Sequence, residues 1–194
     1  MTDQTAHTVE ISFDPPSVGV QCVTEYDIQG IQLDSALRDT QTSRNVIIEP
    51  SRESLFTDLM ACSDYEIRVR SVTRGHLSSN WTSVVATTQE DTPSVPRNLK
   101  LLDATQTTLH VQWWEPMDNH FCVEKYVVNW IRKGEAKPRN FTLRNSKGLR
   151  SPVSDMILPN LTPCSQYDVT VKAVTPSGQE SDVASLSADT TGCP

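Results

Sequence analysis

Apolar and polar residues alternate along this chain in short runs that proline, glycine and acidic turns interrupt. Tyr167, Val169, Val171 and Ala173 alternate with Asp168, Thr170 and Lys172, and Tyr65, Ile67 and Val69 alternate with Glu66, Arg68 and Arg70. A period of two predicts a strand with one buried and one wetted face. A leucine and a cysteine precede each tyrosine at matching distances, as Leu161, Cys164, Tyr167 and Leu59, Cys62, Tyr65. This spacing predicts a tyrosine corner, in which the ring packs at a sandwich edge and its hydroxyl bonds back to upstream backbone.

The pattern recurs across the whole chain. Val9, Ile11 and Phe13 alternate before Asp14-Pro15-Pro16, as Leu109, Val111 and Trp113 do before Glu115-Pro116. Cys22 and Tyr26 match Cys122 and Tyr126 at an offset of 100, and the corner cysteine and tyrosine match at 102. A repeat of that length is a domain, which places one at residues 1–91 and another at 92–194. Between them, Gln89–Val95 is too short for a floppy tether and is stiffened by proline. In the second copy, strands are predicted near Leu99–Leu102, at Leu109–Trp114, Lys125–Arg132, Arg139–Arg144 and Ser154–Leu158, along the corner run, and at Val183–Thr190. Seven short strands without helical periodicity imply an all-β sandwich. Phe13 and Tyr65 in the first copy, and Trp113 and Tyr167 in the second, are the expected core and corner residues. In the first copy there is hardly room before Val9 for an opening strand: either it is cut off, or the first seven residues form it and its edge is poorly paired.

The second half resembles a fibronectin type III domain almost from end to end. The residues that carry the likeness are Pro93, Pro96-Arg97-Asn98-Leu99, Trp113 with Glu115-Pro116, Tyr126-Val127-Val128, Leu161, Pro163, Tyr167 and Ala173. The first half is similar but looser, with Phe13 where the family has tryptophan. The resemblance implies two seven-stranded, immunoglobulin-like β-sandwiches in tandem, set end to end as in adhesion molecules, matrix proteins and receptor ectodomains. It also implies a non-catalytic binding or spacer module with a protein ligand. In receptor tyrosine phosphatases such modules accompany a catalytic region elsewhere in the protein.

Charge and composition narrow the partners. The chain of 194 residues carries a formal net charge of −7, which opposes nucleic acid or an anionic membrane surface. No run approaches the roughly 18 apolar residues of a membrane span. The start, Met1 followed by TDQTAHT, is unlike a signal peptide, so the chain reads as an excerpt of a longer protein. No self-complementary apolar stripe is evident, which predicts a monomer. Five cysteines placed in turns rather than in CxxC clusters favour disulfides, and Asn80, Asn140 and Asn160 begin glycosylation sequons. Both features point to an extracellular setting.

Candidate chemistry is sparse. His7, His76, His110 and His120 are scattered at spacings that suit no metal, seven glycines build no phosphate loop, and no catalytic or cofactor-binding set emerges. Arg74-Gly75-His76 sits in the turn where some family members display Arg-Gly-Asp, but the carboxylate is missing and the segment reads as a glycine turn. Ser78 to Thr82 echoes the Trp-Ser-x-Trp-Ser box of haematopoietic cytokine receptors without its first tryptophan. A cytokine-receptor-type ligand-binding ectodomain is therefore the alternative reading. Trp81 itself is expected to cover apolar surface or to stack on the stems of Arg68 and Arg70.

Strand parity decides the cysteines. Cys122 follows the second strand and Cys164 precedes the sixth, so they lie at opposite poles, roughly 25 Å apart at 3.3 Å per residue. A disulfide needs Cα atoms within about 7 Å. This predicts an inter-domain bridge between Cys62 and Cys122, a bridge from Cys164 to Cys193, and an unpaired Cys22.

Overall fold

The computed structural model describes residues 2–33, 42–48, 52–145 and 152–193, of which residues 2 and 42–48 are described by their backbone alone. The chain divides into Met1–Glu90 and Asp91–Pro194. Gln89 is tied into the first unit, its N–H donating to the Thr5 carbonyl and its own carbonyl accepting from Cys62. In the second unit, the Asn119 side chain donates to the Thr92 carbonyl, and Ser94 Oγ accepts from the backbone of Met117 and Asp118. Most of the predicted linker therefore belongs to one unit or the other.

The first unit contains β1 (Thr2–Gln4), β2 (Val9–Ser12), β3 (Val23–Gln32), β4 (Thr42–Ile48), β5 (Glu53–Phe56), β6 (Asp64–Thr73) and β7 (Thr82–Thr87). The second contains β8 (Arg97–Ala104), β9 (Leu109–Trp114), β10 (Lys125–Arg132), β11 (Arg139–Arg144), β12 (Val153–Leu158), β13 (Gln166–Val174) and β14 (Ala184–Asp189). Each unit pairs these into one three-stranded and one four-stranded sheet, ordered β1-β2-β5 and β4-β3-β6-β7 in the first, β12-β9-β8 and β11-β10-β13-β14 in the second. All pairings are antiparallel. The opening strand that the sequence left in doubt is present and paired along its whole length, from Thr2 opposite Ile11 to Gln4 opposite Val9. It is nonetheless only 3 residues long, against 8 in β8.

The repeat extends to single hydrogen bonds. Thr5 and Thr8 share a hydroxyl contact of 2.7 Å, and Thr105 and Thr108 share one of the same length. A short 3₁₀ turn at Val20–Cys22 is matched at His120–Cys122. Each is launched by a left-handed residue, Gly19 at φ 74° and Asn119 at φ 54°, which only glycine and asparagine adopt at small cost.

Two separate cores fill the sandwiches. Val9, Ile11, Tyr26, Ile28, Phe56, Tyr65 and Ile67 form the first. The second is larger, with Trp113 against Tyr126 at 5.5 Å in an edge-on contact, surrounded by Leu109, Val111, Val128, Val169 and Val171. Burial, and then the Glu115 carboxylate, hold the Tyr126 hydroxyl well above its ordinary value of 10.0. Because the folded state keeps the neutral phenol, this contribution to stability is complete below pH 10 and is lost as pH climbs through the raised value. Denaturant midpoints of the second domain should therefore fall on the alkaline side of pH 10, and Tyr126→Phe should flatten that fall.

Candidate functional site

Both tyrosine corners form. The Tyr65 hydroxyl accepts from the Met60 N–H and the Tyr167 hydroxyl from the Thr162 N–H, each at 2.9 Å. The cysteine between is left-handed in both copies, Cys62 at φ 55° and Cys164 at φ 50°. These corners fix the start of β6 and β13 and are structural rather than reactive.

The outer face of the four-stranded sheet in the first domain carries a stack of charge and aromatic surface. Trp81 lies between two guanidinium groups, Arg68 at 4.8 Å and Arg70 at 4.5 Å from its ring. The arginines reach it because residues two apart on β6 share a face. Each is oriented from β3: Gln29 Oε1 accepts two bonds from Arg68, and buried Asp27 accepts from Arg70 Nε and Nη2 at 3.1 and 2.8 Å. Guanidinium groups held over an aromatic face contribute about 0.5–1 kcal/mol each when exposed and more when desolvated. Trp81→Ala is thus expected to lower the stability of the first domain by about 1–2 kcal/mol in chemical denaturation.

A cleft of ≈ 530 Å³ opens between the sheets of the first domain, bounded by the end of β2 and the turn after it, by Tyr26, Ile67 and Val69, and by Thr82 to Val84 of β7. Its walls account for a departure from the expected alternation. Val69, predicted to be buried, is only half-buried, whereas Val171 at the matching position is fully buried. Phe13 is likewise half-buried, touching Tyr26 edge-on at 4.8 Å, whereas Trp113 is fully enclosed.

The remaining candidates are dispersed. Arg74-Gly75-His76 is an exposed tight turn closed by the His76 N–H to the Thr73 carbonyl, with no acidic third residue. His7 bonds the Leu59 carbonyl, His110 bonds Asp155 across β9 and β12 at 2.8 Å, and His120 lies on Phe121. Among the described residues, no three His, Cys, Asp or Glu side chains group as metal ligands. Among the described residues, no helix is long and apolar enough to cross a membrane. Asn80, Asn140 and Asn160 are all exposed. Cys164 is bridged to Cys193 with Cα atoms 4.7 Å apart, and Cys22 is an exposed free thiol.

Comparison with known proteins places this geometry. Residues 94–187 match the fibronectin type III domain family. Receptor-type tyrosine-protein phosphatase F of Mus musculus is 28% identical over 179 residues, which cover 88% of this chain and 9% of that protein. The cell adhesion molecule DSCAM of Gallus gallus is 29% identical over 144 residues, 70% of this chain and 6% of its own length. The chain thus spans less than a tenth of either relative. The two fibronectin type-III domain segment from chicken tenascin aligns over 98% of this chain and 97% of its own, at 20% identity and a TM-score of 0.48.

Proposed function

We propose, for a chain that belongs to the fibronectin type III family as two domains in tandem, the role of a protein-binding module in the extracellular part of a receptor or adhesion protein, itself without catalytic activity. The observation that carries this reading is the likeness over most of the chain to a receptor-type phosphatase and to an adhesion molecule, relatives far longer than the chain. The Cys164–Cys193 bridge and three exposed sequon asparagines support the oxidising, glycosylating compartment that such a role requires. Association with a receptor tyrosine phosphatase would put any chemistry elsewhere in the full protein. Its ligand is a protein, bound by a monomer that needs neither nucleic acid, membrane insertion nor cofactor.

A second reading, the cytokine-receptor type, draws on the Trp81 stack beside Ser78 to Thr82. Secretion from animal cells behind a supplied signal peptide separates the possibilities. The expected product is a monomer by sedimentation, carries glycans removable by peptide-N-glycosidase, and binds cell-surface or matrix proteins in an ectodomain screen. Capture of a helical cytokine would favour the second reading. A chain that folds only in the reducing cytosol, unglycosylated, would overturn both.

A further inference from the structure

We propose that the turn carrying Cys22 is the receiving half of a covalent joint, on which a further fibronectin type III domain of the same polypeptide docks and bridges to Cys22 through a cysteine three residues before its corner tyrosine. This rests on the reading of the chain as tandem modules of an oxidising compartment and on the predicted Cys62–Cys122 bridge.

The internal repeat supplies the comparison. Cys22 and Cys122 close the same 3₁₀ turn, the Cys22 N–H donating to the Gly19 carbonyl and the Cys122 N–H to the Asn119 carbonyl, each at 3.0 Å. An extended valine follows each of them, Val23 and Val123. The two thiols therefore spring from matching backbone, yet Cys122 is disulfide-bonded and Cys22 is an exposed free thiol. Their surroundings differ in the same sense. Phe121 and Cys122 are 4% and 2% exposed although neither belongs to the second core, whereas Val18 is 86% and Val20 40% exposed, with Gln21 exposed between Val20 and the thiol. The turn that is bonded is sealed, and the turn that is not bonded shows apolar surface and sulfur to water. A cysteine left over in a protein of an oxidising compartment points to a partner outside the described fold.

The corner cysteines identify that partner. Both stand in the left-handed region, Cys62 at φ 55° and Cys164 at φ 50°, where glycine or asparagine would cost less, and both are disulfide-bonded. The corner thus holds a cysteine against its backbone preference in each copy, and in each copy the sulfur is used. Cys164 meets Cys193, 29 residues further on. Cys62 has no cysteine between itself and Cys122, so the predicted bridge runs from the corner of one domain to the turn of the next. Cys22 occupies the receiving position of that relation, and a corner cysteine roughly sixty residues ahead of it would stand to it as Cys62 stands to Cys122.

The joint closes by two thiol–disulfide exchanges. The corner thiolate attacks oxidised glutathione, or the disulfide of a thiol oxidoreductase, and forms a mixed disulfide while one thiol leaves. The Cys22 thiolate then attacks the corner sulfur and expels the second thiol. Two cysteines are oxidised, one donor disulfide is reduced to two thiols, and the protons of the cysteines end on those leaving groups.

The test joins two full chains through a copy of residues 93–100, with Cys193→Ser in the leading copy to release its corner Cys164. This sets Cys164 and the trailing Cys22 apart by the same separation as Cys62 and Cys122. Cys193 is exposed after the last strand, so its substitution spares both cores. After equilibration with oxidised and reduced glutathione, peptide mapping should recover the leading Cys164 joined to the trailing Cys22. Maleimide labelling of that Cys22 should fall about tenfold or more below its level in the parent chain, because the linker holds the two thiols at high effective concentration. Cys22 of the leading copy should remain as the single reactive thiol. Shifting the trailing thiol within the turn, by Cys22→Ser with Ser17→Cys at another exposed position, should leave Cys164 reactive, since register rather than exposure selects Cys22. Equal bridging by that variant overturns the inference. So does a trailing Cys22 that stays reactive, or carries only glutathione, while Cys62–Cys122 peptides are recovered from both copies; the first bridge and the protein-binding role would then stand without the joint. Absence of the Cys62–Cys122 peptides removes the premise and the inference together and leaves the broader role intact.

Discussion

Trp113→Ala should destabilise the second domain by about 3–5 kcal/mol, one of the two largest losses expected of any single change in this chain. The indole is fully enclosed, lies edge-on to Tyr126 at 5.5 Å, and sits at the centre of the second core, so truncation leaves a cavity that rigid strands cannot collapse around. Trp113→Phe separates shape from polarity. The indole Nε1 is buried without a hydrogen-bond partner in the structure, so phenylalanine forfeits packing area but no hydrogen bond, and a cost of about 1–2 kcal/mol is expected. Phe13→Ala in the first domain should cost less than Trp113→Ala, because Phe13 is only half-buried beside the cleft. Calorimetry with the transitions of the two domains resolved checks all three. A Trp113→Ala protein of parental stability that had lost its ligand would make Trp113 a contact residue instead of a core residue.

What the sequence revealed and what it concealed divide along a physical line. The bounds of β9, β10 and β11 coincide with the alternating runs, and both tyrosine corners follow from a tyrosine placed three residues after a cysteine. These features are local, since a pleated strand shows its two faces in its own residues. Trp81 between Arg68 and Arg70 was also legible, because residues 68 and 70 must share a face. The burial of Val69 was not. Its pattern in β6 is the same as that of Val171 in β13, yet Val69 is half-buried and Val171 fully buried. Period-two reading reports which face a side chain occupies, not whether another strand covers the edge. The same blindness extended the linker to Val95, since the bonds that bind Thr92 and Ser94 to the turn at Met117–Asn119 are non-local.

The second large effect is expected at Cys62 and Cys122. Cys164 is taken by Cys193 and Cys22 is a free thiol, so neither domain pairs its own two repeat cysteines, and neither Cys62 nor Cys122 is free. We propose that these two bridge the domains. Non-reducing peptide mapping should then recover a peptide joining Cys62 to Cys122 beside one joining Cys164 to Cys193. The bridge closes a loop of roughly sixty residues that contains β6 and β7 of one domain and β8 and β9 of the other. In the chain-entropy description such a loop stabilises by about 4 kcal/mol, because the unfolded chain loses more freedom than the folded one. Since two strands of each sandwich lie inside the loop, its loss should be felt by both unfolding transitions. Cys62→Ala is the cleaner probe, as Cys62 is half-buried whereas Cys122 is buried and its truncation adds a packing loss. Lower midpoints in both transitions for Cys62→Ala, with Cys22→Ala unchanged, would agree with the bridge. Recovery of a Cys22–Cys62 or Cys122–Cys164 peptide would overturn it, because strands that reverse direction at every turn hold those pairs at opposite poles.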